Sequence, residues 1–220
     1  YLSFGFYNFN FSGLRQAMAF GVVMFSYKYI QEKKLLKYII TMLLAISFHT
    51  SAIVFLPAYF LKNINLTKQR VLLIALIDVI VFIFKKQIFN IISLFIYDNY
   101  TIVETNSYTW MLMCLSIVAI CLLFYNATVR KNENAKSLYI YVIIGASLML
   151  FAPIANNILR IANYYLMFMI LLIPEVMETM KNDKNKYLIN FLVVAIAILI
   201  YLDLLNGDAF NIVPYKFFWQ

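Results

Sequence analysis

The sequence predicts an all-α fold, a polytopic bundle of transmembrane helices, and three observations predict it. First, 64% of the 220 residues are hydrophobic and 13% are charged, against about 45–50% and about 25% in an ordinary soluble domain. A soluble fold of this size has too little interior to hide that much apolar surface. Second, the apolar residues fall in long blocks. Leu188 to Leu202 reads LINFLVVAIAILIYL, with Asn190 as its one interruption, and the hydrocarbon core of a bilayer asks for about 20 such residues per helical crossing. Third, the net charge of +8 sits in short segments between the blocks. That is the placement of basic cytoplasmic loops in a membrane protein, and it argues against a nucleic-acid partner.

Taken in order, the first block runs from about Leu14 to Ile30, after a polar approach through Asn8, Asn10 and Ser12. Three lysines in Gln31–Lys37 place the next loop in the cytoplasm. The second block, Tyr38 to Leu61, is interrupted by Phe48-His49-Thr50-Ser51, and another basic loop follows with Lys62, Lys68 and Arg70. The third block is Val71 to Phe84, closed by Lys85-Lys86, with Gln87 to Tyr97 as a separate amphipathic helix at the outer interface. Asp98 to Tyr108 carries acids and no base and is expected outside. The fourth block, about Thr109 to Tyr125, leads to a basic loop with Arg130, Lys131 and Lys136. The fifth is Leu138 to Ala152, ending at Pro153. The sixth is Ile158 to Ile173, followed by Lys181, Lys184 and Lys186. The seventh is Leu188 to Leu202, with Asp203 and Asp208 in an outer tail.

Two basic loops flank Tyr38–Leu61. If both are cytoplasmic, that block cannot cross once; it is a broken or re-entrant pair of half-helices bent near His49. The alternative is a straight second helix followed by two short crossings. Irregular backbone at membrane depth is tolerated only where it is buried in protein or lines a wet cavity, so a break there would mark a site. The chain begins at Tyr1, not Met, and is expected to be the C-terminal part of a longer protein with a single transmembrane domain over 1–220.

Polar groups inside such a chain are candidates for chemistry. Arg15 and Arg160 are both expected near the outer ends of their helices. Each reads either as an interface anchor or as a fixed planar cation for a phosphate or diphosphate. Arg160 lies against the positive-inside tendency, with Asn156 and Asn157 before it and Tyr164 and Tyr165 after it. His49 is the one histidine, a general base or a hydrogen-bond donor if it is not a core residue. Asp78 stands mid-block as a functional carboxylate or as the partner of a polar group on another helix. Cys114 and Cys121 lie in one apolar block with no His beside them and read as packing residues. No metal site and no cofactor is expected, and there is no phosphate loop or Ser/His/Asp arrangement.

Three segments together resemble the EpsG family, Wzy-like polymerases of capsule, exopolysaccharide and O-antigen synthesis: Asn10-Phe-Ser-Gly-Leu-Arg15-Gln16-Ala-Met-Ala19, then Leu44-Ala-Ile-Ser-Phe48-His49-Thr50-Ser51-Ala52 running on to Leu56-Pro57-Ala-Tyr59, then Arg160-Ile-Ala-Asn-Tyr164-Tyr165 with Leu172-Ile-Pro174. The Phe-His-Thr-Ser-Ala segment is the most specific part, and the three cover most of the chain. The resemblance implies a multi-pass glycosyltransferase of the bacterial inner membrane that joins oligosaccharide units carried on undecaprenyl diphosphate. Its partners would be that lipid-linked glycan, membrane lipids and other polysaccharide-assembly proteins. It implies catalytic roles for His49, Arg160 and Arg15 and substrate contacts from Gln16, Tyr164 and Tyr165; Asn156 and Asp78, polar groups outside those segments, are expected to contact substrate as well. The alternatives are a transporter or flippase of lipid-linked glycans, disfavoured by the bareness of blocks four and seven, and a non-catalytic membrane subunit.

Overall fold

The computed structural model describes residues 5–7, 13–96, 107–179 and 186–206. The expected outer loop with Asp98 and Glu104, the lysines Lys181 and Lys184, the start of the first resemblance segment and the tail with Asp208 lie outside the described residues. Among the described residues all regular structure is helical. The elements are α1 (Leu14–Gln31), α2 (Leu35–Phe48), a 3-10 turn (Thr50–Phe55), α3 (Ala58–Leu61), α4 (Lys68–Ile96), α5 (Tyr108–Leu123), α6 (Tyr125–Lys131), α7 (Ala135–Leu148), a second 3-10 turn (Met149–Phe151), α8 (Asn156–Leu166), α9 (Met169–Thr179) and α10 (Lys186–Asn206). Two compact units are formed, one from residues 1–53 with 176–220 and one from residues 54–175.

In the first unit α1 and α2 make a helical hairpin. The buried positions of α1 include Ala19, Val23, Ser26 and Ile30, and those of α2 are Tyr38, Thr41, Met42 and Ala45. Both series step by three, four and seven, so each helix has one continuous packed face. The outer face of α2 leaves Leu36, Ile40, Leu43 and Leu44 exposed. The turn is tight. The Lys34 N–H bonds to the Tyr29 carbonyl at 2.9 Å and the Lys33 N–H to that of Ile30 at 3.2 Å, the 6→1 and 5→2 pair of a Schellman ending. That ending puts Lys33 at φ 58°, in the left-handed region where a side chain is strained. Ser26 and Thr41 spend their hydroxyls on carbonyls of their own helices, Val23 at 2.6 Å and Lys37 at 2.7 Å.

α2 stops at Phe48. His49 is extended (φ −152°, ψ 119°) and still donates its N–H to the Ala45 carbonyl at 3.1 Å. The break therefore falls at the expected residue.

In the second unit α7 and α8 pack closely. A Cβ at Gly145 would stand 2.8 Å from the Leu166 side chain and 3.0 Å from its backbone nitrogen, so glycine sets how near the two helices come. Phe89 of α4 joins Phe151, Ile154 and Ala155 in a buried cluster, with Val81, Ile88 and Ile158 packed against it. One expectation is corrected here: Gln87–Ile96, the described part of the expected interfacial helix, is no separate helix, because α4 runs unbroken for 29 residues. The stretch has no Gly or Pro, and Lys85-Lys86-Gln87 are good helix formers. The fourth block ends close to where it was expected: α5 stops at Leu123, and α6 follows Phe124 after a bend of 64°.

Only some of the blocks are long enough to cross a bilayer as they stand. Among the described residues one helical stretch, Ile158–Thr179, is long and apolar enough, and the bent pair α5–α6 would be a second if it counts as one span. The other apolar helices, including Leu35–Phe48 and Ala135–Phe151, are shorter.

Candidate functional site

Each break in the helices exposes backbone groups that need partners, and tyrosine hydroxyls supply them. Tyr139 donates to the Cys121 carbonyl at 3.0 Å, at the end of α5, and also bonds Thr128 at 3.2 Å. The Leu66 N–H, ahead of α4, donates to the Tyr125 hydroxyl at 3.1 Å. Two further bonds hold the segment after the His49 break. Tyr165 donates to the Val54 carbonyl at 2.7 Å, and Tyr141 to the Ala58 carbonyl at 2.9 Å. In a 3-10 turn the Val54 carbonyl would accept from residue 57, but Pro57 has no N–H. The Tyr165 hydroxyl takes that place. Phe55, fully buried, fixes the same segment by stacking on Phe168 at 5.1 Å and 6° and meeting the edge of Tyr141 at 5.2 Å.

His49 is half-buried. Its Nδ1 lies 2.6 Å from the Ser51 hydroxyl and accepts the Ser51 backbone N–H at 3.4 Å. A backbone N–H can only donate, so Nδ1 is the acceptor and the neutral ring carries its proton on Nε2. Of the two roles open for His49, that tautomer fits a hydrogen-bond donor. At 1.5 Å per residue Arg15 lies about 24 Å along α1 from Gln31, and Phe48 lies about 20 Å along α2 from Leu35. The hairpin thus brings Arg15 and His49 to one end of the first unit. Arg15 is exposed there, while Gln16 beside it is buried.

In the second unit Arg160 is exposed on α8, one turn in from its start. Asn156 begins that helix, and its side chain lies outside the described residues. Asp78 accepts from the Ser147 hydroxyl at 3.1 Å, which bears out the reading of Asp78 as the partner of a polar group on another helix. Tyr164 and Tyr165 are both buried, and the Tyr165 hydroxyl donates to the Val54 carbonyl, which ties α8 to the segment after His49. Cys114 and Cys121 are buried free thiols, as packing residues should be, and among the described residues no cluster of metal-ligating side chains exists. Sequence reasoning missed the parts played by Pro57, Tyr141 and Phe55. The signal was present in Pro57, which strips a donor from an already irregular stretch.

A family model described as the EpsG family matches residues 1–217. The chain belongs to the EpsG family. No curated protein and no solved structure matches it. Membership ties this EpsG chain to polysaccharide polymerisation and, together with its apolar helical stretch, to a membrane. Of the three segments that carry the resemblance, the described part of the first opens α1, the second is the break at His49 with its 3-10 turn, and the third is α8.

Proposed function

We propose that this EpsG chain is a multi-pass glycosyltransferase of the bacterial inner membrane that polymerises undecaprenyl-diphosphate-linked repeat units into a surface polysaccharide. The observation that carries this reading is the helix break at His49, with Ser51 locking the ring and Arg15 at the same end of the hairpin. A membrane setting is supported by the exposed apolar faces of α2, α4 and α10, among them Leu43, Leu72, Leu76, Ile83, Phe191 and Leu199, a coverage that soluble monomers rarely display. It is supported too by the tyrosines that satisfy backbone groups at the breaks, since a bilayer offers no water to do so. The segment around His49 is read as re-entrant.

In the reaction the growing chain is the donor. The bond from its anomeric carbon to the diphosphate oxygen breaks, a bond to an acceptor hydroxyl forms, and the hydroxyl proton ends on the released lipid diphosphate. Negative charge gathers on the departing diphosphate, so catalysis asks for cations and N–H donors placed in advance. Arg15 and Arg160 supply guanidinium forks, which match phosphate oxygens two at a time, and His49 supplies Nε2–H. Gln16, Asn156 and Asp78 are assigned to the glycan.

The test is complementation of a strain deleted for this gene. The full-length protein should restore long-chain polysaccharide, and Arg160→Ala should leave single repeats on their lipid carrier at the outer face. Equal restoration by both removes the arginine from the mechanism. Lipid-linked repeats trapped at the inner face would identify a flippase.

A further inference from the structure

In the second unit α4 and α5 run in opposite directions, and hydrogen bonds tie them at both ends. At one end Lys85 donates to the Tyr108 hydroxyl at 3.4 Å, with its Nζ 4.3 Å from the centre of the Phe82 ring and 4.8 Å from that of Tyr108. At the other end the Leu66 N–H donates to the Tyr125 hydroxyl at 3.1 Å. At 1.5 Å per residue, Lys68 and Lys85 stand about 26 Å apart along α4, and Tyr108 and Leu123 about 22 Å apart along α5. Both lengths come close to the hydrocarbon thickness of a bilayer, about 30 Å. The loop before α4 and the helix after α5 therefore meet the same face of the membrane, the one that basic loops mark as cytoplasmic. A helix that leaves α5 at 64° at that depth runs along the interface.

This corner collects charge of one sign. Lys62, Lys68 and Arg70 come from one segment and Arg130, Lys131 and Lys136 from the other. Against these six bases stand Glu133, paired with Lys136 at 2.8 Å, and Glu175, which accepts from the Asn132 amide at 3.0 Å. Lys68, Arg70 and Arg130 are exposed, and among the described residues no carboxylate pairs with them. The α1–α2 turn differs, because there Glu32 holds Lys28 at 3.9 Å and Lys34 at 2.8 Å. The rim of the corner is apolar. Leu123 is 81% exposed and Phe60 73%, and the Lys62 ammonium lies 4.6 Å from the centre of the Tyr59 ring. Cations standing beside exposed apolar side chains match the boundary between headgroups and acyl chains. An acidic protein segment would match the bases alone.

We propose that the corner made by residues 62–70, α6 and the loop to α7 is a binding surface for anionic phospholipid headgroups of the inner leaflet, with Lys68, Arg70 and Arg130 facing the phosphates. The proposal stands on the membrane setting and is independent of the polymerase chemistry.

The experiment titrates the full-length protein in detergent micelles with phosphatidylglycerol and with phosphatidylcholine, and counts bound lipid by native mass spectrometry. Phosphatidylglycerol should bind about tenfold more tightly or better, and raising ammonium acetate to about 0.5 M should erase the preference. Lys68→Gln with Arg130→Gln should weaken phosphatidylglycerol binding about 30-fold, about fivefold for each cation, and leave phosphatidylcholine binding unchanged. Lys33→Gln with Lys37→Gln takes the same charge from the α1–α2 turn and should weaken it about twofold at most. Equal affinity for the two lipids overturns the proposal, as does unchanged binding in the Lys68→Gln, Arg130→Gln protein or an equal effect of the two pairs. Tighter binding of a polyglutamate peptide than of phosphatidylglycerol makes the surface a protein-docking one and overturns the lipid assignment. The comparison of lipids on the unaltered protein needs no substitution, so it decides the matter even if a variant fails to fold.

Discussion

Tyr165→Phe deletes one oxygen and keeps the ring that packs at 5.1 Å from Phe55. The atom lost is the donor to the Val54 carbonyl, 2.7 Å away. Leaving a buried carbonyl unpaired costs about 1–3 kcal/mol in water-soluble proteins, and side-chain hydrogen bonds inside membrane proteins average about 0.6 kcal/mol, reaching about 1.7. The Val54 carbonyl belongs toward the upper end because Pro57 removes the backbone N–H that could replace Tyr165. The expected loss is about 1.4 kcal/mol, a tenfold shift in the folding equilibrium. Reversible unfolding in mixed detergent micelles, followed by circular dichroism, measures it. The reasoning rests on Pro57, so the decisive comparison adds Pro57→Ala, which restores an N–H at that position. In that background Tyr165→Phe should cost less than half as much. An undiminished cost would refute the idea that tyrosine stands in for the missing donor.

Two further outcomes are expected of the same unfolding assay. Gly145→Ala should destabilise by about 1–3 kcal/mol, because the new methyl meets the Leu166 backbone at 3.0 Å as well as its side chain; Gly21→Ala, with nothing within 4 Å, is the control and should be neutral or stabilising. Lys33→Gly should stabilise by about 1 kcal/mol, because φ 58° strains a side chain and suits glycine; a loss of stability there would mean the lysine side chain makes a contact worth more than the strain.

The break at His49 was legible because a polar Phe-His-Thr-Ser run interrupts an apolar block and Pro57 follows it. The pairing of Asp78 with another helix was legible as a possibility, because a carboxylate in apolar surroundings needs a donor. Lys85-Lys86 misled for an understandable reason. Charges ordinarily end a membrane block, and nothing in the linear order tells that Phe82 and Tyr108 offer one of these ammonium groups two ring faces and a hydroxyl. The bend at Phe124 was equally hidden, since no Gly or Pro marks it and Tyr139, from another helix, adds a second hydrogen bond to the Cys121 carbonyl there.

By itself the sequence determined the helical class, the membrane character, the family, and the positions where the chain cannot stay regular, because composition, block length and the missing N–H of proline are local properties. The tertiary structure alone decided how those irregular positions are made good. A hydroxyl 111 residues away caps Val54, and a ring from α9's approach stacks on Phe55. These depend on which side chains meet in space, and the spacing of residues along the chain does not contain that.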